Sequence, residues 1–275
     1  MRPEELSSLL KVPFLTRKIK TYDILDEEGL VAIEKNADQI LAEVGVEVRN
    51  DPPSLELFRQ AGASIKNERV KLEPGFCRSL ILENAPIEFV QWARNPKSNV
   101  SFGGNNIVFS PGYGAPFVRS FEEPRRYARL TDFENIVKLA HSSEYFHHTG
   151  GTVCEPTDLS PSNRHLDMNL AHIIYSDKAY MGSVISEESA LDSIKMSEIV
   201  FGKKFLNNNC CIMGLINLNS PLVMDGSMLA ALRAYASANQ CCVISPFVIG
   251  GAASPMSPAG MLSQSLAETL AGLAL

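Results

Sequence analysis

The chain has 275 residues, 45% of them hydrophobic, with a formal charge of -6 and a pI near 5.5. That is enough sequence to bury a large core, which excludes disorder, and no apolar run is long enough to span a bilayer. No basic cluster exceeds Arg125-Arg126, so the expected partner is a protein or a small molecule and not a nucleic acid or a membrane. The first ten residues, MRPEELSSLL, lack a signal-peptide pattern, and the sequence reads as cytoplasmic.

The first hundred residues predict a small α+β region. Asp26 is placed to cap a helix with apolar positions Leu30, Ile33, Ala37, Ile40, Leu41 and Val44, ended by Gly45. A second helix opens at Asp51-Pro52-Pro53, buries Leu55 and Phe58 and stops at Gly62. Residues 65–72 alternate around Asn67-Glu68 like a hairpin, a third helix runs from Pro74 to Asn84, and residues 87–92 alternate again. The turn at 95–99 is the expected exit, giving regions 1–99 and 100–275.

From Val100 onward, strand-like runs centred near Val108, Phe146, Met181, Leu215 and Ile244 are each followed by a helical pattern, at the spacing of βα units. Thr131-Asp132-Phe133-Glu134 reads as a capping box for a helix burying Phe133, Ile136, Val137 and Ala140. The next helix shows Leu166, Leu170, Ile173 and Ile174 at helical spacing. A third spans Ser186 to Gly202, a fourth runs from about Asp225 to Asn239, and the last has Ser257 as N-cap and Pro258 at its first turn. Five such units imply a parallel sheet covered by helices. No Gly-x-Gly-x-x-Gly follows the first strand, as a dinucleotide fold requires, whereas Gly, Ser, Asn and Pro gather after almost every strand, as at the mouth of a (β/α)8 TIM-type barrel. Five units do not close eight strands, and the last helix is still running at Leu275. The expectation is an incomplete barrel, truncated at its C-terminus, behind an α+β preface.

Cysteines 77, 154, 210, 211, 241 and 242 show no Cys-x-x-Cys spacing, and one member of each vicinal pair is expected to pack as a small hydrophobe.

Several stretches together are similar to a known family. They are Ile40-Leu41-Ala42-Glu43-Val44-Gly45-Val46, Arg59-Gln60-Ala61-Gly62-Ala63, Gly112-Tyr113-Gly114-Ala115-Pro116-Phe117-Val118, Asp177-Lys178-Ala179, Asn217-Leu218-Asn219-Ser220-Pro221-Leu222, Gly250-Gly251-Ala252-Ala253-Ser254-Pro255 and Ala267-Glu268-Thr269-Leu270-Ala271. In order and spacing the chain resembles the trimethylamine methyltransferase family of corrinoid-dependent enzymes, which includes glycine betaine-type members. The resemblance implies transfer of a methyl group from trimethylamine or a quaternary amine to the Co(I) of a corrinoid (cobalamin) carried by a separate protein, with no cofactor held tightly by this chain. It also implies an oligomer and, for some members, a place in methanogenesis; pyrrolysine is implied only for the trimethylamine enzymes, at a site beyond Leu275. Arg119-Ser120 and Ala253-Ser254 depart from the family pattern and bear on which amine is accepted.

Such an enzyme needs a pocket for a fixed cation and an open mouth. Tyr113, between two glycines after the first strand, is a candidate wall or a rim tyrosine without a ligand. His147-His148 end the second strand, and one imidazole is expected to face substrate or, equally, to be structural. Asn217 and Asn219 share a face at the end of the fourth strand and can hydrogen-bond a substrate or their own turn. The Gly250-Gly251 loop with Ser254 offers amides to an anion or to a corrinoid side chain, or serves close packing. Arg125, Arg126 and Arg129 read as a solvated face. No metal site is expected; a metal-dependent hydrolase using His147 or His148 is the weaker enzyme alternative, and a noncatalytic remnant or binding module of the same fold is the non-enzyme one.

Overall fold

Asp26 starts the first helix as the sequence predicts, its carboxylate accepting the Gly29 N–H. Helix α1, Glu27–Gln39, runs into one π turn, Ile40–Val44, in which Gly45 N–H reaches Ile40 O at 2.8 Å. Gly45 then takes φ +73, and a Cβ there would stand 2.2 Å from Val70 O, so only glycine lets the chain turn into the sheet. The computed structural model describes residues 15–275; the signal-peptide reading of the first ten residues lies outside them.

A short strand β1, Leu15–Thr16, precedes α1. After the π turn come β2 (Val46–Arg49), α2 (Pro52–Gln60), the hairpin β3 (Ser64–Lys66) and β4 (Arg69–Lys71), α3 (Phe76–Asn84) and β5 (Glu88–Gln91). Strand β6 (Val100–Gly103) pairs antiparallel with β5, β7 (Asn106–Ile107) pairs with β1, and β8 (Phe117–Val118) pairs with β9 (Arg126–Tyr127). Helices α4 (Leu130–Ser142), α5 (Arg164–Tyr175), α6 (Glu187–Phe201) and α7 (Lys203–Leu206) follow. The chain continues through β10 (Met213–Leu218), β11 (Val223–Asp225), α8 (Gly226–Ser237), β12 (Cys241–Pro246) and α9 (Pro258–Ala274).

Four parallel segments are joined side by side, and a fifth, at Phe109, is bonded to the first of them. His147 N–H bonds Phe109 O at 3.0 Å, His148 forms a parallel bridge with Ala179, Met181 one with Met213, and β10 pairs with β12 from Met213↔Cys241 to Leu218↔Pro246. A helix follows each segment: α4, α5, α6, α8 and α9 in turn. The expected strands near Val108, Phe146 and Met181 are thus shorter than predicted, holding single bridges and isolated bonds, and the second is centred on His148. Only β10 and β12 form a continuous ladder.

The sheet β11-β2-β4-β3 takes one strand from beyond residue 100, since β11 lies parallel to β2. One hydrophobic core accordingly runs through both regions, from Leu41, Val48, Phe58 and Val70 to Ile216, Leu229, Tyr235 and Leu270. Arg233 of α8 is ion-paired with the buried Asp51 ahead of α2, and its guanidinium also donates to Ser54 at 2.6 Å. A second cluster, with Phe133, Val137, Val153 and Ala171, sits between α4 and α5.

Three local readings are corrected. Helix α4 begins at Leu130, and the Asp132 carboxylate accepts the Arg129 N–H, so Thr131 is not the cap. Arg126 is no free surface cation: it grips Asp132 through two bonds of 2.6 and 2.9 Å, holding that carboxyl below its usual range, while Arg125 lies 3.9 Å over the Phe117 ring. In α5 three members of the expected apolar stripe point outward, Leu166, Leu170 and Ile174 at 38%, 44% and 59% exposure, while Ile173 is half-buried against the main core and His165, Asn169 and His172 are buried. Both stripes have helical spacing; the inward one meets Asp192 through His165 Nε2, Ser193 through Asn169, and Thr149 and Gly151 through His172, while among the described residues His165 Nδ1 is left without a partner.

Candidate active site

The residues singled out from the sequence lie at the ends of these segments or on the loops that follow them, and hydrogen bonds tie the first loop to the second and the fourth to the fifth. Tyr113 stands in the first loop, at 38% exposure, with its ring against Gly151, where a Cβ would come within 2.9 Å of Cε2. Thr152 Oγ1 donates to the Tyr113 hydroxyl at 3.3 Å, and Gly114 N–H bonds Thr152 O at 2.6 Å, so the first and second loops are tied together. Partial burial raises the phenol pKa and keeps it protonated near neutrality.

The two histidines look inward but are largely occupied by the protein. His147 Nδ1 accepts the Phe109 N–H at 3.0 Å, which leaves the proton on Nε2, and burial lowers its pKa. His148 Nδ1 accepts the Gly150 N–H at 3.0 Å, so Nε2 donates to Gln91 Oε1 at 3.2 Å, and Gln91 Nε2 donates onward to Tyr180 O at 2.9 Å. Fully enclosed, His148 is held neutral with a pKa of about 3. Both of its ring nitrogens are engaged, so the substrate-facing reading of His148 gives way to the structural one. Beside it His172 Nε2 donates to Gly151 O at 3.0 Å while Nδ1 bonds Thr149 Oγ1 at 3.0 Å, and burial lowers its pKa to about 4. These neutral imidazoles fix the backbone of the second loop. Lys178 has a similar duty: its Nζ donates to Ala140 O, Ser143 O and Phe146 O at the end of α4.

Asn217 and Asn219 follow the alternation of β10: Gly214, Ile216 and Leu218 face the helices, and the two asparagines stand exposed on the opposite face. Asn219 uses its backbone in the turn, exchanging bonds of 2.9 and 3.0 Å with Val223, and its side chain remains outside. The turn contains a cis Ser220-Pro221 bond and Leu222 at φ +58. Behind it the buried Glu268 of α9 accepts from Ser220 Oγ at 2.5 Å, from Leu222 N–H at 2.8 Å and from Gln264 Nε2 at 2.9 Å.

The loop after β12 differs from expectation. Gly251 N–H bonds Ser254 O, and the N–H groups of Ala252 and Ala253 both turn back to Ile249 O, so these three amides serve the loop itself and are not offered to an anion. Gly250 and Ser254 close it through a bridge, and Ser254 Oγ donates to Pro255 O at 3.3 Å. Phe247 and Ile249, at 65% and 48% exposure, form an open apolar edge beside the asparagines.

Among the described residues no three His, Cys, Asp or Glu side chains are grouped to hold a metal ion, so the hydrolase alternative finds no ligand set there. All six cysteines are free; burial raises the thiols of Cys77, Cys154, Cys211 and Cys242 to about 12, while contact with Cys241 lowers that of Cys210. No helix among the described residues is long and apolar enough to cross a membrane.

Gln91, Thr152, His172 and Gln264 escaped the sequence reading, and Glu268 entered it only within a family stretch, with no role attached. Only Glu268 left a local signal, as the one charge in the otherwise uncharged run of α9.

Known proteins bear on this arrangement. Glycine betaine methyltransferase of Desulfitobacterium hafniense (strain Y51) is 44% identical over 255 residues, covering 92% of this chain and 53% of that protein. Trimethylamine methyltransferase MttB of Desulfitobacterium hafniense (strain DSM 10664 / DCB-2) is 26% identical over 139 residues, 50% of this chain and 27% of its own. The chain thus spans about half or less of the length of these relatives. The crystal structure of the Methanosarcina barkeri monomethylamine methyltransferase (MtmB) shares the fold, with a TM-score of 0.53 at 12% identity over 97% of this chain and 60% of that one. The sequence matches the family described as trimethylamine methyltransferase (MTTB) over residues 2–275, and the chain belongs to that family.

Proposed function

We propose that this chain supplies the substrate-binding half of a methyltransferase that takes a methyl group from a quaternary amine of the glycine betaine type. The observation that carries this reading is the 44% identity to glycine betaine methyltransferase along 92% of the chain. The chemistry of the mouth agrees with it. Tyr113 offers a neutral aromatic face to a fixed cation, and Asn217 and Asn219 offer amide donors to a carboxylate without adding charge. A quaternary nitrogen leaves as a neutral amine and needs no proton, which suits a site whose histidines are held neutral by burial.

The methyl acceptor in this reading is a corrinoid delivered by a separate protein, which in its Co(I) state supplies the nucleophile. The exposed apolar edge at Phe247 and Ile249 fits the rim of such a macrocycle, and the chain's own residues bind and orient the amine and keep water from it. In this reading the βα units belong to a (β/α)8 barrel, and residues 15–99 form a base that shares its core and one sheet with them. A cytoplasmic homo-oligomer belongs to the same proposal.

The test is a demethylation assay with Co(I) corrinoid protein supplied and a panel of betaines and methylamines. Glycine betaine is expected to yield the tertiary amine one methyl lighter, read by mass spectrometry; absence of turnover with every quaternary amine, or turnover of trimethylamine alone, would overturn the assignment.

A further inference from the structure

Glu268 is 2% exposed, and among the described residues no cation pairs with it. Its compensation is three donors: Ser220 Oγ, the Leu222 N–H and Gln264 Nε2. Burying a carboxylate in this way is a poor means of gaining stability, because apolar residues of similar volume usually do as well or better. It is a good means of fixing geometry, since bonds to an ionised acceptor are short and directional.

Two of the bonded groups belong to the turn that carries Asn219. The third, Gln264, uses the same amide nitrogen to donate to Ala253 O at 2.8 Å, inside the loop after β12. One carboxylate therefore connects the fourth and fifth loops, through a path of two side chains on successive turns of α9. Leu222 adopts a left-handed conformation that a branched side chain rarely visits, and it does so with its N–H on Glu268 and its C=O accepting the Glu47 N–H at 2.9 Å. The base region thus grips the turn from the other side.

We infer that Glu268 is a positioning residue, which through Gln264 holds the Asn219 turn and the Gly250–Ser254 loop at a fixed separation across the substrate mouth. The inference rests on the proposed binding of a quaternary amine there, and it adds a residue that does not touch the amine.

The experiment compares Glu268→Ala, Glu268→Gln and Gln264→Ala with the native protein, at a temperature where each is folded. Calorimetry gives the affinity for glycine betaine, and hydrogen exchange reads the amides of Leu222 and Gly251. Glu268→Ala is expected to weaken affinity at least about tenfold and to speed exchange at both amides. Glu268→Gln keeps an oxygen for Leu222 and an amide group for Ser220, so affinity should return to within about threefold of native. Gln264→Ala should speed Gly251 and leave Leu222 protected. Unchanged affinity in Glu268→Ala, no rescue by glutamine, or faster exchange at Leu222 alone would overturn the inference. If Glu268→Ala does not fold, the other two variants decide it. If the native protein takes no glycine betaine, the substrate reading fails, and the exchange pattern still tells whether the two loops are coupled.

Discussion

Behind the second and third parallel segments, α5 turns His165, Asn169 and His172 toward the sheet; behind β10 and β12, α8 and α9 turn Leu229, Tyr235, Ala267 and Ala271. The first interface is fastened by hydrogen bonds such as Asn169 Nδ2 to Ser193 Oγ at 2.7 Å and His172 Nε2 to Gly151 O at 3.0 Å. The second is fastened by apolar contact, with Gly272 admitting Ile244 so closely that a Cβ would stand 2.8 Å from its Cγ2. Where the ladder is continuous, its own backbone bonds and the apolar packing behind it keep the register. Where segments share only a bridge, neutral polar groups set the backbone one group at a time. The helix–sheet interfaces thus differ in kind, yet the second loop and the fourth are both held by buried polar side chains, His148 and His172 at the one and Glu268 at the other.

The largest effect should come from the apolar side. Ile216→Ala, at a fully buried position of β10, should lose about 2 to 5 kcal/mol in denaturant unfolding. His172→Ala should lose less, about 1 to 3 kcal/mol from stranded partners, with exchange at residues 149–151 rising before global unfolding. Equal or reversed losses would mean that the polar network carries the fold.

Acid should strike the polar interface first. His148 and His172 have folded-state pKa values of about 3 and 4, both below the ordinary value of 6.5. Between pH 6.5 and those values the unfolded chain binds more protons than the folded one, so the stability they contribute is complete above 6.5 and is lost as pH falls. Each histidine should add a slope approaching about 1.4 kcal/mol per pH unit inside that window. His172→Gln should remove one such slope in melts recorded from pH 7 to 4.5; an unchanged profile would show that the imidazole is not held neutral.

At the mouth the expected change is in binding, not in stability. Asn217→Ala and Asn219→Ala should each alter stability by under about 0.5 kcal/mol and weaken glycine betaine affinity by roughly three- to tenfold in calorimetry. Smallest of all, Leu170→Gln on the outward face of α5 should stay within about 0.5 kcal/mol in the same unfolding assay; a larger loss would mean that this face is covered in solution.

Much of this fold is legible from periodicity: α1, α2, α6 and α8, the 64–71 hairpin and the caps at Asp26, Ser186 and Ser257 lie where spacing and capping chemistry place them. Periodicity fails in α5 because two stripes share its 3.6-residue period, and which one faces inward depends on partners such as Ser193 and Gly151 on other elements. It fails again at the Gly250-Gly251 loop, since whether an amide is free depends on carbonyls the loop itself brings back. Asn217 and Asn219 are legible because strand alternation fixes their side. Gln91 is not, because its bond to His148 spans 57 positions and leaves no local trace.

The most direct measurement is a crystal structure of the protein with glycine betaine bound. The expected result places the trimethylammonium group against Tyr113 and the carboxylate within hydrogen-bond reach of Asn217 or Asn219. Betaine seated elsewhere, for instance in the groove of about 450 Å³ between α1, Leu222 and α9, would contradict the assignment of the mouth as the substrate site.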